Sequence, residues 1–168
     1  EIFIQSVDSP KNKFDVSMHP RSDRAPVWSP DGKKLAFASN RSGNRGGIDY
    51  DIWMVWLKKE DWERSKTDRE NGDYYVEKED DKSKDKEKDK NDKKVTVAID
   101  KERIFDRITR ITKLPDDEYK GLFGPDSKYV YYSATDPSTN KRCFFKVKFD
   151  GISPKAVKET SKVERVAD

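Results

Sequence analysis

Hydrophobic and polar residues alternate over short stretches along most of this chain, which is the pattern of β-strands with one buried face. The most hydrophobic stretch, residues 50–57, is apolar at both alternating sets of positions. Since such a strand is covered on both faces, we expect it to lie inside a stack of sheets. The other predicted strands are residues 2–7, 13–17, 25–28, 34–39, 95–100, 104–112, 119–123, 129–134, 143–149 and 155–159.

A turn motif occurs twice, with an offset of 95 residues between the copies. The copies are Trp28-Ser29-Pro30-Asp31-Gly32-Lys33 and Phe123-Gly124-Pro125-Asp126-Ser127-Lys128. Proline presets φ at the first corner of a type I turn, aspartate suits the second, and Gly32 supplies a positive φ where the chain turns back. Each copy therefore predicts a hairpin. Because Ser127 replaces Gly32 in the second copy, that turn needs its positive φ elsewhere or tolerates strain.

Four predicted strands surround each copy of the turn, and short antiparallel strands repeated in fours are the unit of a β-propeller. The sequence therefore predicts an all-β fold of about two and a half four-stranded antiparallel blades. Residues 1–17 are the last two strands of one blade, residues 18–113 a second blade, residues 114–160 a third, and residues 161–168 a tail or the start of the next blade. A propeller closes with at least about four blades, so we expect a piece of a longer protein whose remaining blades are its partners.

A run of charge interrupts the second predicted blade. Of the 37 residues from 58 to 94, 27 are charged, 13 of them basic and 14 acidic. Almost no apolar residue is present to offset the entropy cost of ordering, so we expect an insertion that is disordered or a solvated helix. Residues 60–73 are predicted to start a helix and residues 74–76 to contact the body. A tolerated surface loop and a docking arm for a partner are both open interpretations.

Charge and composition argue against several classes of protein. The net charge is +3 with the signs interleaved, so no basic stripe is present to follow a nucleic acid backbone. Cys143 is the only cysteine, which excludes an internal disulfide. No apolar run approaches the roughly 20 residues of a membrane helix, and no signal peptide opens the chain. The compartment, cytoplasmic or periplasmic/secreted, stays open, as does a homo-oligomeric state.

Motifs for catalysis and for metal binding are missing from the sequence. It contains no Gly-x-Ser-x-Gly elbow and no Cys/His cluster with metal spacing, so we predict neither a cofactor nor a metal. His19, the only histidine, would have to be the base of a serine hydrolase triad. It precedes Pro20 in a predicted loop, where an exposed or hydrogen-bonded histidine is the favoured interpretation.

Other conspicuous residues have a structural interpretation. Asp31 and Asp126 are interpreted as turn formers rather than as an acid/base pair. Residues 41–47 contain glycine but no phosphate-binding signature and are interpreted as a hairpin loop. The tryptophans that we predict to pack between blades, with ligand stacking as the alternative, are Trp28, Trp53 and Trp56.

Several segments carry a resemblance to known propellers. Residues 28–33, followed by Phe37-Ala38-Ser39-Asn40-Arg41 and Asp51-Ile52-Trp53, look like the repeat of TolB-type and tricorn-type propellers. A longer series resembles the propeller part of tricorn-like serine peptidases over nearly the whole chain. The series is Asp51-Ile52-Trp53-Met54-Val55, a Lys/Glu/Asp-rich insertion, Ile99-Asp100, Asp106-Arg107-Ile108, Arg110-Ile111-Thr112 and Leu114-Pro115.

The resemblance implies a function for the parent protein rather than for this chain. In tricorn-like peptidases the propellers guide or gate peptide substrates towards a separate catalytic portion with a serine nucleophile, which follows a PDZ-like domain. Nothing here matches that serine, its base or the PDZ-like segment, so no catalytic residue is assigned. The expected function is a non-catalytic propeller segment of such a peptidase. The alternative is part of a TolB-like propeller that acts as a protein–protein binding module.

Overall fold

The computed structural model describes residues 1–42, 49–70, 95–114, 117–149 and 155–156. These residues are mostly β and form three antiparallel sheets, which confirms the predicted all-β class. The first sheet contains β1 (Phe3–Gln5) and β2 (Lys13–Asp15). The second sheet has the order β3 (Asp23–Trp28), β4 (Lys34–Ser39), β5 (Asp51–Trp56) and β6 (Ile108–Arg110). The third has the order β7 (Tyr119–Phe123), β8 (Tyr129–Asp136), β9 (Lys141–Lys148) and β10 (Lys155–Ala156).

A helix, α1 (Lys59–Glu70), follows β5 and starts the charged insertion, as its sequence predicts. Glu60 and Asp61 lie in its first turn, where negative charge complements the helix dipole. The Trp62 side chain packs against the core between the second and third sheets and anchors the helix there. The contact predicted for residues 74–76 lies outside the described residues. None of the described helices has the length and apolar character that crossing a bilayer requires.

The prediction of a strand over residues 95–100 is wrong. This segment has no secondary structure, and Val95 and Val97 are 51% and 42% exposed. Its alternation does not lead to pairing, since both edges of β5 are already occupied by β4 and β6. The backbone instead returns to the end of β5, where the Asp100 N–H donates to Leu57 O at 2.9 Å.

The strand predicted over residues 104–112 is shorter than expected, because its first part is a 3₁₀ turn, Ile104–Arg107. Arg107 explains the turn: its side chain is buried, and it donates hydrogen bonds to Trp56 O at 3.0 Å and Leu57 O at 3.3 Å. A continuous strand would carry this guanidinium past the two carbonyls. β6 therefore begins only at Ile108, after the turn has positioned the Arg107 side chain.

Side chains of β4 and β5 pack alternately on the two neighbouring sheets. Those facing the first sheet belong to a buried cluster of Ile2, Val16, Leu35, Phe37, Val55, Leu57 and Ile104. Those facing the third sheet belong to a second cluster, which includes Ala36, Ala38, Ile52, Met54, Trp56, Val130, Tyr132, Ala134, Phe145 and Val147. β5 is thus covered on both faces, as its sequence predicts.

The second and third sheets repeat one another in detail. Pairing along β3 shifts by a bulge between Arg24 and Val27, and pairing along β7 shifts between Tyr119 and Leu122. The two bulges have the same offset of 95 residues as the turns. β7 lies across β3, β4 and β5, and Gly121 allows the close approach, because a Cβ there would lie 3.0 Å from Ile52 Cγ2.

Packing between the second and third sheets predicts a large cost for a cavity at Ile52, which is fully buried. Ile52→Ala should lower the free energy of unfolding by about 2–5 kcal/mol. Leu122→Ala is the matched control, since this side chain is 55% exposed and its loss should change stability by no more than about 0.5 kcal/mol. Urea unfolding of both variants checks this; equal losses would contradict the stacking.

Candidate functional site

The first Pro-Asp turn, residues 29–32, is closed by its backbone and by a serine hydroxyl. Gly32 N–H donates to Ser29 O at 2.9 Å, and Gly32 has φ +69°, the positive value that the motif requires. Ser29 Oγ accepts the Lys34 N–H at 2.9 Å and donates to Asp31 Oδ1 at 2.5 Å. These bonds satisfy the polar groups that the tight turn leaves without strand partners.

The second Pro-Asp turn, residues 124–127, has the same backbone closure with a different residue at the positive φ. Ser127 N–H donates to Gly124 O at 2.9 Å, and Asp126 Oδ1 accepts the Lys128 N–H at 3.0 Å. Ser127 itself has φ +57°. Of the two outcomes that the sequence leaves open, the structure shows a tolerated left-handed serine rather than a positive φ elsewhere.

The two turns lie side by side and are joined by a hydrogen bond. Asp31 N–H donates to Ser127 Oγ at 3.0 Å, across 96 residues of sequence. A left-handed residue with a side chain costs about 1–2 kcal/mol, and a hydrogen bond returns about 0.5–1.5 kcal/mol. The serine that replaces glycine in the second copy therefore ties the second copy to the first.

Lys34 is buried beneath the first turn, with 1% of its surface exposed. Its Nζ lies 2.6 Å from Asp31 Oδ2, 4.7 Å from the centroid of the Trp56 ring and 5.5 Å from that of Phe149. Burial lowers the pKa of Lys34, and the Asp31 carboxylate opposes that shift. Burial also opposes ionisation of Asp31, but hydrogen bonds from Lys34 and Ser29 outweigh it and lower the pKa of this carboxyl.

The candidate acids and base are engaged in local hydrogen bonds. Asp31 Oδ1 accepts the Lys33 N–H at 3.0 Å, which is the bond that Asp126 makes in its own turn. His19 lies in the loop between β2 and β3, where its Nδ1 accepts the Arg21 N–H at 3.2 Å. Burial lowers the pKa of His19, and the nearby Arg41 charge lowers it further. These contacts have the geometry of turn and loop formation rather than of acid/base catalysis.

The three tryptophans occupy different environments. Trp56 is buried between the second and third sheets, with its ring edge-to-face to Phe149 at a centroid distance of 5.5 Å. Trp53 is partly buried against the cluster that joins the first and second sheets. Trp28 departs from the prediction: it is 43% exposed and lines an open groove. The predicted loop over residues 41–47 lies largely outside the described residues.

Two buried ion pairs were not identified from the sequence. Asp23 has its side chain fully buried, with Oδ1 3.0 Å from Arg41 Nη2. Asp51 Oδ1 lies 2.6 Å from Arg110 Nη2, and its other oxygen accepts a hydrogen bond from the Ser42 hydroxyl. Each aspartate begins a strand of the second sheet. A carboxylate at the start of an apolar strand is the only signal of these pairs in the sequence.

Glu118 is the counterpart of Asp23, but the arginine that pairs with Asp23 is not repeated at the aligned position. It is aligned with Asp23 by the offset of 95, and the position aligned with Arg41 is Asp136. Glu118 is completely buried. Its Oε1 accepts the Leu114 N–H at 2.8 Å, while its Oε2 has no hydrogen-bond partner among the described residues.

Burial raises the pKa of Glu118 to about 8. The Leu114 N–H works against this shift, and the Asp51 carboxylate adds to it. Burial therefore favours the neutral form of Glu118. It lies at the joint between the second and third sheets, where its N–H donates to Tyr50 O at 2.8 Å and Asp117 Oδ1 accepts the Tyr50 N–H at 2.7 Å.

Two of these contacts, the Asp31–Ser127 and Glu118–Tyr50 hydrogen bonds, join the second sheet to the third. The two buried ion pairs lie within the second sheet. Within the described residues, no group of three or more His, Cys, Asp or Glu side chains is arranged to hold a metal ion. A scan against protein-family models finds no match, and a search of curated proteins finds no similar sequence. The resemblance to tricorn-like and TolB-type propellers therefore stays a prediction.

The hydrogen bond between the turns predicts a difference between two substitutions at Ser127. Ser127→Ala removes the hydroxyl and keeps a strained positive φ, so it should lower the free energy of unfolding by about 1 kcal/mol. Ser127→Gly also removes the hydroxyl but relieves the strain, so it should stay closer to the original stability. Urea unfolding measures both. An alanine variant as stable as the glycine variant would contradict this account.

The raised pKa of Glu118 predicts that stability falls with increasing pH. From about pH 4.5 to about pH 8 the unfolded chain has released this proton while the folded chain retains it. The free energy of unfolding should therefore fall across this window, at up to about 1.4 kcal/mol per pH unit, and level off above it. Glu118→Gln should remove that slope. Glu102→Gln, at an exposed carboxyl, is the control, and an unchanged slope in Glu118→Gln would refute the assignment.

Proposed function

We propose that this chain is a segment of a β-propeller. The observation that supports the proposal is that the sheets stack in the same way twice. The second sheet packs on the first, and the third packs on the second, through aligned strand positions. Leu35 and Phe37 of β4 pack towards the first sheet, and Val130 and Tyr132, at the aligned positions of β8, pack towards the second. Successive four-stranded antiparallel sheets that stack face to face in this way are the blades of propellers.

Further blades of the parent protein are the partners that this proposal requires. On the third sheet, Leu122 and Phe144 are 55% and 48% exposed. They alternate with Phe123 and Phe145, which pack against the cluster shared with the second sheet. The exposed side chains therefore belong to the opposite face of the sheet. The same face carries Lys146 and Lys148 of β9, and its exposed apolar side chains offer a surface for another layer of structure.

We further propose that the propeller guides or gates peptides towards a serine peptidase domain outside this chain. β3 and β7 are both edge strands and both come first in their sheets, so in a propeller they line one passage. The edge of a strand offers N–H and C=O groups that bind extended peptides. Arg24 and Pro26 are exposed on β3, and the Arg24 guanidinium lies over the Tyr50 ring at 3.5 Å from its centroid. Their exposure supports contact with a peptide in that passage.

A TolB-like binding propeller is the second candidate function. The exposed Leu122 and Phe144 favour it, because a face of this kind also suits a protein partner. The reading frame beyond Asp168 separates the two proposals. A PDZ-like domain and a serine peptidase core support the first, whereas a stop codon soon after ring closure removes it.

Gating predicts that a charge change on β3 affects long substrates alone. In the parent protein, Arg24→Glu should lower kcat/KM several-fold for a long acidic peptide, because the passage then repels it. The same variant should cleave a short neutral peptide at the original rate. Steady-state kinetics with the two peptides measure the difference.

Two controls accompany this measurement. Lys11→Glu makes the same charge change in the exposed β1–β2 loop, away from the proposed passage, and should leave both substrates unaffected. The 168-residue chain alone should not hydrolyse unstructured peptides. Equal effects of Arg24→Glu on both peptides would contradict gating. Turnover by the chain alone that a serine-directed inhibitor abolishes would overturn its non-catalytic role.

A further inference from the structure

A groove of about 660 Å³ opens between the first sheet and the start of the second. Its apolar lining is Ile4 and Phe14 of the first sheet, Trp28 at the end of β3, and Val97 and Ile99 of the segment that returns from the insertion. The groove continues the buried interface between the two sheets, since Ile4, Phe14 and Ile99 pack against the cluster there. An exposed aromatic ring on such a lining marks a site of interaction.

Phe123 shows what covers the position of Trp28 in the other copy of the repeat. Phe123 is partly buried and packs against the cluster between the second and third sheets. It is covered because β7 lies across β3, β4 and β5. Trp28 has the aligned position in β3, but in the described chain the sheet before it contributes β1 and β2 alone. Two further strands would fill the space over Trp28.

Hydrogen bonds identify β1 and β2 as the counterparts of β5 and β6. Ile2 N–H donates to Ser17 Oγ at 2.9 Å, and Ile52 N–H donates to Thr112 Oγ1 at 2.8 Å, again with hydroxyls 95 residues apart. The residue before each hydroxyl donates its own N–H to the carbonyl of the same isoleucine, at 2.9 and 2.8 Å. β1 is therefore equivalent to β5, a third strand. β5 pairs with β4 along its other edge, whereas β1 pairs with β2 alone among the described residues.

We propose that this groove binds a β-hairpin of the parent protein, whose second strand pairs with the free edge of β1 and covers Trp28. The proposal rests on the propeller proposed above and adds the chemistry of the missing segment. β4 is the counterpart of the second strand of this hairpin and shows the side-chain pattern expected of it. Ala36 and Ala38 face the next sheet, while Leu35 and Phe37 face the previous one. The hairpin accordingly alternates small apolar side chains, which lie against Trp28, with larger ones on its other face.

The test supplies such a hairpin from the chain itself. A copy of residues 18–50, with Trp28→Phe in the copy, is fused in front of Glu1, so that the copied β3 and β4 precede β1 as the originals precede β5. The protein is labelled with 5-fluorotryptophan, and Trp28→Phe in the original position assigns the resonance. The solvent isotope shift of Trp28 should fall to about half or less of its value in the unfused chain, because rings in an interface core lose contact with water.

The matched control is the same fusion with Ala36→Asp and Ala38→Asp in the copy, which places carboxylates against Trp28 and should restore the original isotope shift. An unchanged Trp28 shift in the first fusion, with the resonances of the other tryptophans retained, would overturn the proposal. So would an unfused chain that sediments as a dimer with Trp28 already covered, since a second copy would then be the occupant. Neither result depends on peptide cleavage, so a failure of the hairpin proposal can be distinguished from a failure of the gating proposal.

Discussion

Burial of β5 on both faces is the constraint from which the rest of the structure follows. A strand that carries Ile52, Met54 and Trp56 on one side and Val55 on the other cannot satisfy both faces with one sheet. One layer has to lie on each side, and close packing then dictates what the neighbouring positions hold. The small Ala36 and Ala38 on β4 and the bare backbone of Gly121 on β7 are consequences, because they bring the third sheet close enough to cover β5.

Polar side chains lie at the margins of the contact between the second and third sheets. The Asp31–Lys34 pair, with Lys34 over the Trp56 ring, lies at one end of the contact between the second and third sheets. Glu118 lies at the joint where the chain passes from one sheet to the other. A buried ion pair adds little net stability, but breaking one partner is costly. The hydrogen bonds from Asp31 to Ser127 and from Glu118 to Tyr50 are polar contacts that cross from one sheet to the other.

The sequence predicts what local patterns determine and misses what depends on distant partners. Alternation locates β4 and β7 to the residue, and the Pro-Asp motif locates both turns, because each signal lies within a few residues. Residues 95–100 alternate equally well but form no strand, since the edges of β5 are already taken. Neither the hydrogen bond from Asp31 to Ser127 nor the raised pKa of Glu118 could be predicted from the sequence, because each depends on a residue of another sheet.

The outer face of the third sheet differs from the equivalent face of the second sheet. Register places Lys146 and Lys148 of β9 where β5 has Met54 and Trp56. The alternation is kept, but the face of the third sheet that points away from the second exchanges buried apolar groups for long cationic ones. Lysine stems cover apolar surface while their ammonium groups stay in water. That face is therefore more positively charged than the face of the second sheet that β7 contacts.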